Sequence, residues 1–327
     1  MAEAPEPPRK ELRLALIGDP VAGSVSPIMQ RAAFAAAGMH VDYRALRVKE
    51  SELPSLFAGL RASLRGLNVT APLKQAVLRM LDDIAPAAAA AGSVNTVVFS
   101  GGLARGESTD GDGFLAALRG VRESPTRKAV VIGTGGAARA VTAALLREGA
   151  SVAIAGRNED AGRRLISDVA RSTRELFGAR FPRRPRTGGG SSALVFTLLD
   201  SRSFPGTLDA ADLLVNCTPV GDPALGGPIV PPSLLHDRLT VVDLVYRPRR
   251  TALLEAARAA GSLTVEGIEM LIEQGARSFE LWTGLPAPVE VMRRAAYFAL
   301  DGASGSPSAS AAARGASQGR VLGCSAS

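Results

Sequence analysis

Lys74 stands in GLNVTAPLK, four residues after Thr70, and Asp110 stands in GESTDG. Lys74 can supply positive charge and a proton, and Asp110 a carboxylate that accepts hydrogen bonds. GDPVAGSVSP and GSVNT add Ser24, Ser26 and Asn95. Together with Thr70 these side chains suit a small ligand that carries several hydroxyls. Lysine at position 74 is itself informative. The chain has four lysines (10, 49, 74 and 128) against 34 arginines. An ammonium is a compact charge that can give up its proton, whereas a guanidinium stays charged.

A second set of residues points to a dinucleotide. In AVVIGTGGAARAVTAALL, a buried-strand pattern runs straight into Gly133-Thr-Gly135-Gly136-Ala137-Ala138 and then into a helical pattern. Gly133 allows the tight turn, Gly135 lets the backbone approach a pyrophosphate, and Ala138 permits close helix-strand packing. Gly136 and Ala137 open the helix, whose N–H groups and positive dipole end would face the phosphates. The next strand, SVAIAG, ends at Gly156-Arg157-Asn158, where an NAD enzyme usually places an acid. A guanidinium at Arg157 suits a 2′-phosphate, hence NADP. Glu159 and Asp160 follow in what reads as a first helical turn, and they leave NAD possible.

These groups need strands to hold them at one end of a sheet. Leu12 to Gly18, VDYRALRV and LRGLNVT read as strands, and VNTVVFSGGLARGEST as two strands joined by a Gly101-Gly102 hairpin turn. KAVVIG, SVAIAG, LLVNCT and VVDLVY form a second series with helices between. Ser26-Pro27 starts a helix, with Ser26 as its N-cap. Helix-forming stretches at Gly267 to Leu281 and Ala287 to Leu300 close the folded part. The alternation predicts parallel sheets in an α/β architecture of two domains. Polar residues at strand ends are where such sheets build ligand sites. Arg171 to about Asp200 lacks clear periodicity until ALVFTLL and is expected to be an inserted loop.

Composition excludes several classes. Hydrophobic residues make up 46%, charged residues 21% and aromatics 4%, an ordinary globular balance with an aliphatic core. No apolar run reaches the roughly 18 residues of a membrane span. Cys217 and Cys324 are the only cysteines, and His40 and His236 lie far apart, so neither disulfides nor a metal site is expected. A reducing cytoplasm fits this usage. The net charge of +7 comes from scattered arginines. The densest cluster, ARFPRRPR, reads as a solvated loop without the aromatics that stack on bases, so no nucleic-acid partner is expected. MAEAPEPPRK reads as a disordered leader and residues 302–327 as a disordered tail.

At this point the sequence resembles the shikimate dehydrogenase family. The resemblance rests on Gly18-Asp-Pro20 with Ser24-Val-Ser26-Pro27, Asn68-Val-Thr70-Ala-Pro72-Leu-Lys74, Val94-Asn95-Thr96, Gly106 to Gly111, Gly133 to Ala140, Asn216-Cys-Thr218-Pro-Val-Gly221 and Gly267-Ile-Glu-Met270-Leu271-Ile-Glu-Gln274. These motifs stand in the family's order between about Leu12 and Leu300. Gly23 stands where the family pattern has His, Ser108 where it has Asn, Gly156 and Asn158 flank the Arg of its N-R-T, and Ala161 replaces a later basic residue.

The resemblance implies reversible reduction of 3-dehydroshikimate to shikimate with NADPH, in chorismate biosynthesis. It implies that Lys74 and Asp110 flank the reacting carbonyl. It also implies that Ser24, Ser26, Thr70, Asn95, Tyr246 and Gln274 contact the substrate, with Thr218 and Gly267 joining the cofactor contacts. The expected organisation is a substrate-binding domain of residues 1–118 and 266–301 and a Rossmann-like domain of residues 119–265, as monomer or homodimer. An NAD-dependent quinate/shikimate dehydrogenase or another paralogue is the nearest alternative. A non-catalytic nucleotide-binding regulator is an alternative of a different class.

Overall fold

A computed structural model describes residues 12–178, 193–221 and 229–303. The expected leader, the arginine cluster, most of the expected tail and Cys324 lie outside them.

The first half forms β1 (Leu12–Gly18), α1 (Ser26–Ala36), β2 (Val41–Arg47), α2 (Leu53–Ser63), β3 (Gly66–Val69), α3 (Leu73–Ala76), β4 (Asp83–Ile84), α4 (Pro86–Ala91), β5 (Thr96–Ser100), β6 (Leu103–Glu107) and α5 (Asp110–Arg119). Their strands make one sheet in the order β2-β1-β3-β5-β6-β4. This sheet is mixed rather than parallel. β1 runs parallel to β2 and β3, but β5 is antiparallel to both β3 and β6. The cause is the hairpin: Gly101 and Gly102 both have positive φ, and a two-residue turn can only reverse the chain.

The second half forms β7 (Lys128–Ile132), α6 (Gly136–Arg147), β8 (Ser151–Gly156), α7 (Glu159–Phe177), β9 (Leu194–Leu198), α8 (Phe204–Asp209), β10 (Leu213–Asn216), β11 (Thr240–Asp243), α9 (Ala252–Ala259) and β12 (Leu263–Glu266). This sheet is parallel throughout, in the order β12-β11-β10-β7-β8-β9. Counted from β7, that is the doubly wound order whose direction reverses between β7 and β10, the point where such sheets bind dinucleotides.

The chain then returns. α10 (Gly267–Thr283) and α11 (Val289–Ala303) close the described part. Ile268, Ile272, Phe279 and Trp282 of α10 bury against Leu14, Leu16 and Tyr43 of the first sheet. Trp282 donates its indole N–H to the Val97 carbonyl at 3.0 Å. A side chain at Gly66 would strike its ring at 2.3 Å, so this glycine is required for the indole to approach the sheet this closely.

Two expectations need correction. Ser26 is not the cap of α1. Val25 holds that position without a side-chain bond, and the Ser26 N–H instead donates to the Ser24 hydroxyl at 3.3 Å. The expected loop from Arg171 begins as helix, because α7 continues to Phe177. Leu165, Val169 and Thr173 bury one face of it at four-residue spacing.

Candidate active site

Short helix α3 begins just after Pro72 and carries Lys74 in its first turn. The Lys74 carbonyl accepts from the Val94 N–H at 2.8 Å, tying this turn to the segment that carries Asn95. Asp110 is the first residue of α5, where the helix dipole favours a carboxylate. Lys74 Nζ lies 2.5 Å from Asp110 Oδ2, with side chains 15% and 6% exposed. Such burial makes this pair far less screened than the surface ion pairs elsewhere in the molecule.

Asn95 locks the pair. Its amide nitrogen faces Asp110 Oδ1 at 3.0 Å, Thr109 Oγ1 at 2.8 Å and Gln274 Oε1 at 3.0 Å. Its oxygen accepts from the Thr109 N–H at 2.7 Å. Gln274 comes from α10 and donates its own amide to the Leu271 carbonyl. Small residues let these helices meet: a Cβ at Gly113 of α5 would sit 2.5 Å from the Gln274 nitrogen, and one at Gly111 would sit 3.0 Å from the Ala140 carbonyl of α6.

Beneath Asn95 lies a buried polar layer that sequence reading did not single out. The Tyr43 hydroxyl donates to Asn68 Oδ1 at 2.7 Å. Asn68 donates in turn to the Ser278 hydroxyl, the Thr96 hydroxyl and the Asn95 carbonyl. Thr96 and Ser278 share a 2.8 Å bond. Two sequence signals existed. Asn68 interrupts an otherwise apolar, fully buried strand, and Ser278 lies one helical turn beyond Gln274.

Two loops face each other at the other end. The loop after β1 carries Ser24 and Ser26, with Ser26 buried. Thr70 packs its methyl group against Gly18, at the root of that loop. Tyr246 follows β11 on the second sheet, yet its ring packs on the first sheet's core and its hydroxyl faces Ser24. Burial pushes that hydroxyl's pKa up, with the Ser24 contact and the Arg247 charge opposing. The Asp243 carboxylate holds the root of the Tyr246 loop by accepting from the Val245 N–H, the Thr251 hydroxyl and the Asn216 amide. Burial raises the Asp243 pKa, and these three bonds oppose the rise.

The turn after β7 fits a dinucleotide. Gly133 has φ +117° and abuts Thr218, whose loop follows β10, so both loops border the switch point. A Cβ on Gly135 would meet nothing within 4 Å, leaving open space beside the start of α6, which has no side-chain cap. Ala138 is buried, as expected for the packing position, and Ala137 half-buried. Gly136 touches the other chemistry directly: a Cβ there would fall 2.8 Å from Lys74 Cβ and 2.7 Å from the Ser93 hydroxyl. Gly267 is buried with the carbonyls of Asp243 and Leu244 over its Cα, so its lack of a side chain serves the packing of α10.

Arg157 is exposed at the tip of β8. Asn158 caps α7, accepting from the Ala161 N–H at 2.9 Å. Arg163 is drawn onto Glu159, its Nε 3.0 Å from the carboxylate, rather than toward Arg157. Cys217 lines the same region as a free thiol whose pKa is pushed up by burial and by the nearby Asp243 and Asp110 charges. Among the described residues no cluster of His, Cys, Asp and Glu could hold a metal, and no helix is long and apolar enough to cross a membrane.

Residues 16–97 match the shikimate dehydrogenase substrate binding domain, and residues 267–297 match the shikimate 5′-dehydrogenase C-terminal domain. A shikimate dehydrogenase (NADP(+)) of Symbiobacterium thermophilum is 45% identical over 295 residues, 88% of this chain and 95% of the relative. The crystal structure of shikimate 5-dehydrogenase from Thermus thermophilus in complex with NADP(H) and shikimate superposes with a TM-score of 0.74 at 36% identity, covering 88% of this chain and 100% of the other. A quinate dehydrogenase from Corynebacterium glutamicum in complex with NAD gives 0.72 at 31% identity, covering 87% and 98%. With this identity running through both sheets and the returning helices, the chain belongs to the shikimate dehydrogenase family.

Proposed function

We propose that the chain is an NADP-dependent shikimate dehydrogenase, reducing 3-dehydroshikimate reversibly to shikimate in chorismate biosynthesis. The observation that carries this reading is the buried Lys74–Asp110 pair in direct contact with the N-terminus of the dinucleotide helix.

NADPH, when bound, supplies the hydride. The Gly133–Ala138 turn, Arg157, Asn158, Thr218 and the backbone at Gly267 are the groups that would hold it. Everything else falls to the chain's own side chains. Reduction of a ketone turns its oxygen into an alkoxide. The Lys74 ammonium stabilises that charge as it forms and gives up a proton to it. Asp110 accepts from the ammonium and orients it. Asn95 fixes Asp110, and the Tyr43–Asn68–Ser278 layer fixes Asn95. Ser24, Ser26, Thr70, Asn95, Tyr246 and Gln274 hold the ring's polar groups.

In this reading residues 1–118 and 266–301 form the substrate-binding domain and residues 119–265 the cofactor domain. The enzyme acts on small molecules alone, in the cytoplasm, as monomer or homodimer. Steady-state oxidation of shikimate and of quinate, each with NADP and with NAD, tests the assignment. Shikimate with NADP should give the highest kcat/KM. A higher value for quinate with NAD would replace it with the quinate/shikimate alternative. NADPH binding without turnover of either alcohol would favour a non-catalytic regulator.

A further inference from the structure

The loop between β11 and α9 is pinned at both ends by one carboxylate. Asp243 accepts from the Val245 N–H at its start and from the Thr251 hydroxyl at its end. Between these points the backbone of residues 246–250 makes no hydrogen bond to another described residue. Side chains must therefore hold the span. One is Tyr246, which packs on the first sheet's core with its hydroxyl facing Ser24. The other is Arg249.

Arg249 reaches from this loop to the start of α10 and to α11. Its Nε lies 2.9 Å from Glu266 Oε2, and its Nη1 lies 3.7 Å from Asp301 Oδ1. Its guanidinium carbon stands 4.9 Å from the centroid of the Tyr297 ring, within the range of a cation–π contact. Each partner is itself held. Arg258 takes the other oxygen of Glu266 at 3.1 Å. The Tyr297 hydroxyl donates to Glu269 at 2.6 Å, and Arg293 pairs with that same carboxylate. Met292, Ala296 and Leu300 anchor α11 in the first sheet's core.

Stability is a poor account of this network. Ion pairs this close to the surface contribute little to it, and the apolar faces of α10 and α11 are buried without them. What the network fixes, and the core does not, is the far side of the Tyr246 loop.

We infer that Arg249 is the positioning residue for Tyr246. By fastening the loop to α11 it sets where the Tyr246 hydroxyl stands, and with it the affinity for the ring alcohol. The inference rests on the reading of Tyr246 as a substrate contact. It makes the last helix of the described chain part of substrate recognition, although its side chains act through the loop rather than on the ligand.

The test is steady-state oxidation of shikimate with NADP by the wild type, Arg249→Ala, Arg249→Lys, Tyr297→Leu, Tyr246→Phe and the double variant Arg249→Ala/Tyr246→Phe. Arg249→Ala should raise the KM for shikimate about 3- to 10-fold, the scale of a lost cation–π contact and a partly exposed ion pair. Its kcat and its KM for NADP should change much less. Arg249→Lys keeps the charge but not the planar fork, so it should fall between. Tyr297→Leu should shift the KM in the same direction, and it carries the comparison with Arg249→Lys if Arg249→Ala does not fold. The double variant should have a KM little above that of Tyr246→Phe alone, because both changes act at one hydroxyl. NADPH affinity, read by fluorescence, reports that each variant is folded. An unchanged shikimate KM in the folded variants at position 249, or effects that multiply in the double variant, overturns the inference. A wild type that oxidises no shikimate overturns the functional assignment, and the inference with it.

Discussion

Lys74 and Asp110 are held by Asn95, just before β5, and behind it by side chains from β2, β3, β5 and α10, whereas Arg157 and Asn158 stand on the tip of one strand with only a helix cap behind them. The first arrangement is buried and each member is bonded to another. The second is exposed, and the neighbouring Arg163 is tied to Glu159. Proton transfer needs atoms fixed to a fraction of an ångström, and a buried network supplies that. Recognising one phosphate on a cofactor needs only charge within reach. Replacement of side chains at the exposed end therefore alters preference, while replacement at the buried end alters the reaction or the fold.

The contrast can be broken at its strongest point first. Lys74→Ala should lower kcat by about 10²–10⁴ while leaving the KM for shikimate nearly unchanged. Near-normal turnover would remove Lys74 from the chemistry. One layer down, Asn68→Ala strands the Tyr43 hydroxyl in a buried setting and should cost about 1–3 kcal/mol of stability. A thermal melt would read this as a lowered midpoint, and turnover should fall with it even at temperatures where the variant is folded. At the exposed end, Arg157→Ala should raise the KM for NADPH roughly tenfold, the effect of losing one hydrogen bond to a charged group, and leave that for NADH in place. Equal losses with both cofactors would show that Arg157 holds something other than the 2′-phosphate. The smallest effect concerns Cys217. Burial and two nearby carboxylates disfavour its thiolate, so alkylation by iodoacetamide at mildly alkaline pH should be slow and should quicken on unfolding.

The same contrast explains what was legible in the sequence. Lys74, Asp110, Asn95 and the glycine turn were readable because each sits at a strand end in a short contiguous motif. The Rossmann-like order was readable from alternating strands and helices. Tyr43, Thr96, Thr109 and Ser278 were not, because their roles exist only once five distant segments meet. The hairpin at Gly101-Gly102 was anticipated, but not its consequence that the first sheet must be mixed. Ser26 was misplaced by one position because Pro27 suits either of the first helical positions. The end of α7 was missed because its buried stripe is narrow and its other faces are heavily charged.

Trp282 is the chain's single tryptophan, and its indole lies on the first sheet against Gly66 and Val97. The molecule thus carries a built-in optical reporter with a known address. Its emission follows the half that the returning helix completes and is blind to the parallel sheet. Circular dichroism sees both halves. Melting curves recorded by the two signals would coincide if the halves unfold as one body and separate if the parallel sheet lets go first. One residue thereby turns a question about cooperativity into a comparison of two traces from a single cuvette.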